Sequence, residues 1–228
     1  MKRVFDLTEL TTPGTQIFST ETFSPISAFI RGAEEAERLH SLVGGIEAFV
    51  NPSIPSHSFL ISHVTSGGNI MCSEMTWPYE VCTSHNGNNI FDLTVDYDLN
   101  QLGNHVCGVF RAPCLDDDYD LQAKATDWMR AQHKLGLQYG IMNLFADLGI
   151  GKINNREEVC IQYCIAFHIW LQNLTGSFTL PSNWIIDKDK PNVISLQEFV
   201  IWAREQGWAK NYVKEVADDF DPHKEIEV

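Results

Sequence analysis

The segment Glu158-Val159-Cys160-Ile161-Gln162-Tyr163-Cys164-Ile165-Ala166-Phe167-His168-Ile169-Trp170 constrains this chain more than any other. Apolar side chains recur through it at helical spacing. Val159, Cys160, Tyr163, Cys164, Phe167, Trp170 and Leu171 fall on one stripe, which predicts a core helix that the remaining elements must cover. The same spacing sets Cys160 in the first turn. Unpaired N–H groups and the positive end of the helix dipole favour thiolate over thiol there, which is how a cysteine nucleophile is made. Packing alone also accounts for such a stripe, because free cysteine is among the most buried residue types. Cys160, Cys164 and His168 follow at i, i+4 and i+8, a spacing open to metal, but no fourth ligand is indicated and no metal is expected.

With 228 residues and 44% hydrophobic side chains, the chain is long enough to bury a full core, and a single domain over 1–228 is expected, with a loose acidic tail over 218–228. A net charge of −14 argues against a nucleic-acid partner, which calls for a basic surface, and against adsorption to anionic lipid. The first residues, Met1-Lys2-Arg3-Val4-Phe5-Asp6-Leu7-Thr8-Glu9, hold no apolar export segment, and no stretch approaches the length of a membrane span. A soluble, cytoplasmic protein without membrane insertion is the expectation. Cys72, Cys82, Cys107, Cys114, Cys160 and Cys164 include no C-x-x-C pair, and a chain of this size needs no disulfide staples, so reduced thiols are expected.

Along the chain, Pro13-Gly14 reads as a turn feeding a short strand through Ser19. Ser24-Pro25 reads as the cap of a helix through Arg31, Glu34–His40 as a polar helical insertion, and Ile46–Val50 as a strand before the breaker-rich Asn51–Pro55. Ser56–Val64 predicts a buried strand with His57 at its beginning, Gly67-Gly68 a hairpin turn, and Asn69–Met75 the returning strand, bringing Glu74 near His57. Tyr79–Cys82 and His105–Arg111 complete the predicted sheet, and Asn86–Gln101 shows no clear period. Asp116–Leu135 is helical, acidic early and basic late; its acidic run lacks the spacing of a calcium loop. A short apolar helix through Leu148 follows, and Gly149-Ile150-Gly151-Lys152 lacks the spacing of a phosphate loop. Ser195–Arg204 is a final amphipathic helix with an S-x-x-E cap.

That order of parts resembles the permuted papain-like cysteine hydrolases of the NlpC-type superfamily, in which the histidine precedes the cysteine. Pro13-Gly14-Thr15-Gln16-Ile17 looks like the family's P-G-D-I/V, Ser56-His57-Ser58-Phe59-Leu60-Ile61 like its S-H-V-G-I strand, and Tyr139-Gly140 like its Y-D. Val159-Cys160-Ile161-Gln162-Tyr163-Cys164 stands where the family has C-S-E-L/F-V after an apolar residue. The resemblance runs from about Leu10 to Leu171. It implies an α+β, circularly permuted papain-like fold with an antiparallel sheet packed against helices. It also implies Cys160 as nucleophile, His57 as base and Glu74 as the acid orienting the imidazole, with Asp6 an alternative acid and Cys164 the next candidate thiol. Tyr139 is a candidate substrate-binding or oxyanion contact. Ile161 and Gln162 replace the family's Ser and Glu, altering how the helix is anchored, and Phe59 replaces its Gly, narrowing the cleft.

The chemistry needs these types. A thiolate attacks a carbonyl, an imidazole protonates the leaving amine, and a carboxylate fixes the tautomer of the ring. The implied activity is cleavage of an amide bond in a peptide, isopeptide or peptidoglycan-derived substrate, without a cofactor. Two alternatives stand beside it: acyl transfer or hydrolysis of a thioester or lipid ester by the same thiol, and a binding module that keeps the fold without turnover.

Overall fold

The computed structural model describes residues 2–19, 55, 57–76, 87–93, 106–139, 157–158, 160–187, 190–192 and 194–216. In chain order the first strands are β1 (Lys2–Phe5), β2 (Gln16–Ser19), β3 (His57–Val64), β4 (Ile70–Thr76), β5 (Gly87–Asp92) and β6 (Val106–Phe110). Helix α1 (Tyr119–Leu135) follows, then the short strands β7 (Gln138–Tyr139) and β8 (Glu157–Glu158) and helix α2 (Cys160–Thr175). Strands β9 (Ile185–Asp187) and β10 (Lys190–Pro191), helix α3 (Leu196–Glu205) and strand β11 (Val213–Val216) end the described chain.

The centre is a five-stranded antiparallel sheet in the order β5-β4-β3-β2-β6. Its tightest connection is the expected hairpin: Thr65 N–H donates to Asn69 O at 2.9 Å, and Gly68 takes φ 84°, a conformation that glycine adopts without a steric penalty. Pleating sends alternate residues to opposite faces. Phe18, Leu60, Met75 and Phe110 point to the helices, while Ile17, Phe59, Ile61, Cys72, Phe91 and Val109 form a second apolar layer with Leu10 on the far face. The molecule is therefore α+β, with an antiparallel sheet covered by helices, the architecture that the strand and helix patterns predict at this level.

Helix α2 lies on the helical face and is seated by polar contacts as well as apolar ones. Tyr163 and Ser73 hydroxyls meet at 2.7 Å, Ser58 Oγ lies 3.4 Å from Cys164 Sγ, and His168 Nε2 lies 2.8 Å from Gln16 Oε1. The predicted one-sided stripe is too narrow: Ile161, Gln162, Ile165, His168 and Ile169 are buried as well. Trp128 of α1 packs on Tyr163, Phe167 and Trp170, and Phe199 of α3 stacks on His168, so the sheet covers only part of α2's circumference. A helix enclosed by a sheet and two other helices has little polar face left to show.

Several boundaries differ from expectation. Helix α1 begins at Tyr119 because Asp118, not Asp116, caps it, accepting from Leu121 N–H at 2.9 Å; Asp116 is drawn instead to Arg111 and Lys210. The segment read as aperiodic, Asn86–Gln101, contains β5, whose Gly87-Asn88-Asn89 start is a poor strand signal overridden by pairing with β4. Strand β1 pairs antiparallel with β11, and β7 runs parallel to β8; neither pairing has a local signal. The elements read over Ser24–Arg31, Glu34–His40, Ile46–Val50, Tyr79–Cys82, the helix through Leu148, Gly149–Lys152 and the tail 218–228 lie outside the described residues. Among the described residues no helix is long and apolar enough to cross a membrane.

Candidate active site

Strand β3 begins on His57 and helix α2 begins on Cys160. The hairpin sets the register between β3 and β4, with Phe59 directly opposite Glu74. His57 therefore lies diagonal to Glu74 on the same face, a spacing that long side chains bridge. Glu74 Oε2 accepts from His57 Nε2 at 2.8 Å, and the two side chains are only 4% and 8% exposed.

The Cys160 side chain lies within hydrogen-bonding and charge–charge reach of the same ring. Burial by itself pulls an imidazole pKa down. Here it is outweighed by the hydrogen bonds and electrostatic interactions that Cys160 and Glu74 make with the ring, which hold His57 well above its ordinary value of 6.5. Both neighbours thus favour the protonated form of the imidazole. A thiol beside an imidazole whose other face is fixed by a carboxylate is chemically able to attack an acyl carbon and to return a proton to a leaving group.

The remaining sulfurs sit in other surroundings. Burial pushes the Cys72 thiol up, with the charges of Glu74 and Asp92 adding to it, and pushes Cys107 up to about 12. Cys164 is fully buried one turn into α2 and faces Ser58. His168, third in the metal-capable series of the sequence, is given to Gln16, and burial drops its pKa to about 3, so it stays neutral. Asp6, the alternative acid, caps the 3₁₀ turn Leu7–Leu10, accepting from Thr8 N–H at 3.1 Å and Thr8 Oγ1 at 2.6 Å. Tyr139 stands opposite Glu158 in the β7–β8 pair, and Glu158 is two residues before Cys160, so its backbone borders the approach to α2. Phe59, where the resembling family has glycine, shares the face of His57 and packs edge-on against Phe91.

Two buried groups of the sheet escape any reading of the sequence. Ser19, last residue of β2, is directly opposite His57 in the β2–β3 register, and its Oγ has no hydrogen-bond partner among the described residues. Asn88, opposite Met75 on β5, has both side-chain amide atoms unpartnered in the same sense. Neither lies in a motif, and each becomes visible only when strands far apart in sequence pair. Compared with protein-family models, with curated proteins and with solved structures, the chain matches none of them.

Proposed function

We propose that this protein is a cysteine hydrolase that cleaves an amide bond in a peptide, isopeptide or peptidoglycan-derived fragment. The observation that supports it is the grouping of Glu74, His57 and Cys160: a buried carboxylate 2.8 Å from an imidazole that also interacts with the side chain of the first α2 residue. Cys160 is the nucleophile in this reading. With Nε2 turned to Glu74, the remaining ring nitrogen, Nδ1, serves the sulfur.

His57 as imidazolium stabilises the thiolate and donates to the amine leaving group. Glu74 holds the ring in the orientation this requires. The free N–H groups of the first α2 turn suit a developing oxyanion, and Tyr139 is a candidate for a further substrate contact. The fold belonging to this reading is the circularly permuted papain-like one, since His57 precedes Cys160 in the chain and an antiparallel sheet backs the nucleophile's helix. Turnover of short peptide fragments in the cytoplasm is the setting it implies.

The test is the rate of iodoacetamide alkylation of Cys160 against pH, followed by peptide mass spectrometry in the wild type and in His57→Ala. The expected result is labelling of Cys160 ahead of the other cysteines in the wild type, persisting below neutral pH, and a fall of about 10-fold or more at neutral pH in the variant. Cys160 labelling that is slow and indifferent to His57 overturns the proposal. A positive result is followed by a screen of peptide amides, where His57→Ala is expected to lower kcat by about 100-fold or more.

A further inference from the structure

Ser19 closes β2 beside the proposed centre, and three observations about it converge. It is directly opposite His57 across the β2–β3 pair, on the same face of the sheet as the ring. On its other side the β2–β6 ladder slips between Phe18 and Ser19, so Ser19 pairs with Val106 while Phe18 pairs with Gly108. Such a bulge re-aims a side chain, and bulges gather next to active sites. The Ser19 hydroxyl is 96% withdrawn from solvent by residue and lacks a hydrogen-bond partner among the described residues, which is unusual for a buried hydroxyl. A buried hydroxyl left without a partner is satisfied by one ordered water, which needs further polar partners to be held.

We propose that Ser19 is the positioning residue for the hydrolytic water, with His57 as the base that activates it; the inference rests on Cys160 being the acylated nucleophile. After the amine has left with the proton from His57, the enzyme holds a Cys160 thioester and a neutral imidazole. Water bound between Ser19 Oγ and the ring gives a proton to His57 while its oxygen bonds to the acyl carbon. The tetrahedral adduct then collapses: the C–S bond breaks, Sγ leaves as thiolate, and the carboxylic acid departs. The imidazolium–thiolate pair is thereby restored, with no oxidant or further reactant required. Ser19 acts on this second half-reaction and not on acylation.

The experiment uses p-nitrophenyl acetate as probe with the wild type, Ser19→Ala and Ser19→Thr. The fast burst of p-nitrophenolate and the slower steady rate are read separately, and acetylated Cys160 is quantified by peptide mass spectrometry. Ser19→Ala is expected to keep the burst and lower the steady rate on the order of 10- to 100-fold, with acetyl-Cys160 accumulating. Ser19→Thr, which keeps a hydroxyl, is expected to retain most of the steady rate. Hydroxylamine, an acceptor that brings its own nucleophile, is expected to discharge the accumulated thioester in Ser19→Ala. Equal loss of burst and steady rate means that Ser19 merely supports the fold and overturns the inference, as does a steady rate unchanged in Ser19→Ala. A wild type that forms no acetyl-Cys160 removes the cysteine-hydrolase reading itself, an outcome separable from the other two.

Discussion

A buried imidazole bonded to a buried carboxylate responds differently to two substitutions of that acid, Glu74. Glu74→Gln keeps an acceptor for His57 Nε2 but removes the charge, and is expected to cost about 1–3 kcal/mol of stability. Glu74→Ala leaves the buried ring cation without its partner, and about 3–5 kcal/mol is expected to be lost. Both lower the His57 pKa, because both withdraw a negative neighbour, so the alkaline limit of the His57 cation moves to lower pH. Urea denaturation measures the first pair of numbers, and an NMR titration of the His57 ring measures the shift. A ring pKa unmoved by Glu74→Gln would sink the claim that Glu74 holds the ring cationic. At this scale the meeting of His57 and Glu74 was legible, because a glycine hairpin makes their strands neighbours. Their exact register was not, and Ser19 was invisible because its partner strand lies far along the chain.

Turns, strands and helices were legible in proportion to how local their causes are. The Gly67-Gly68 hairpin, the capped α1 and α3, and α2 beginning at Cys160 all follow from residues within a few positions of one another. Ser195 Oγ accepts from Glu198 N–H at 2.9 Å, while the Glu198 carboxylate accepts from the Trp184 indole, a contact that no cap pattern announces. Strand β5, the β1–β11 pair and the full enclosure of α2 depend on distant partners, so local composition misjudged them. The Pro13-Gly14 turn shows both sides of this. Its glycine predicts a turn, but its surroundings are tertiary: Gly14 has φ 84° and gives its N–H to Ile61 O of β3. A β-carbon there would stand 2.8 Å from Leu115 Cδ1 and from Phe167 Cζ. Gly14→Ala is therefore expected to destabilise by more than about 1 kcal/mol through backbone strain, with steric overlap added. The measurement is the urea midpoint at constant slope. A midpoint equal to that of the wild type would mean the turn relaxes away from α2 without loss.

The pH dependence of stability belongs to the whole molecule, because two buried histidines in different parts of the core pull it in opposite directions. His57 binds its proton more tightly when folded than when unfolded. Its contribution is fully present below about 6.5, the unfolded value, and is lost as pH rises through the raised folded pKa. His168 is the reverse case. Folded, it stays neutral down to about 3, while the unfolded chain takes up a proton below about 6.5. Between those limits the unfolded state binds one more proton, so stability falls with acid by about 1.4 kcal/mol per pH unit from this residue alone. Asp116 adds to the acid side: burial raises its pKa, but Lys210 and Arg111 outweigh that and hold it below its usual value, so its share is lost as the carboxylate is protonated. The contribution of His168 can be isolated because its ring stacks on Phe199 and its Nε2 meets only Gln16 among the contacts described. His168→Phe combined with Gln16→Leu replaces both members of a half-satisfied buried polar pair, in which His168 Nδ1 and Gln16 Nε2 have no partners among the described residues. At neutral pH the double variant is expected to be within about 1–2 kcal/mol of the wild type, since removing both partners leaves no new orphan. Between pH values of about 4 and 6 its stability is expected to fall less steeply by one proton's worth, with the alkaline limb set by His57 unchanged. Urea unfolding of both proteins across that range decides it. Parallel acid limbs would mean that His168 is protonated inside the folded core, and that the helical face of the sheet is wetter there than its packing implies.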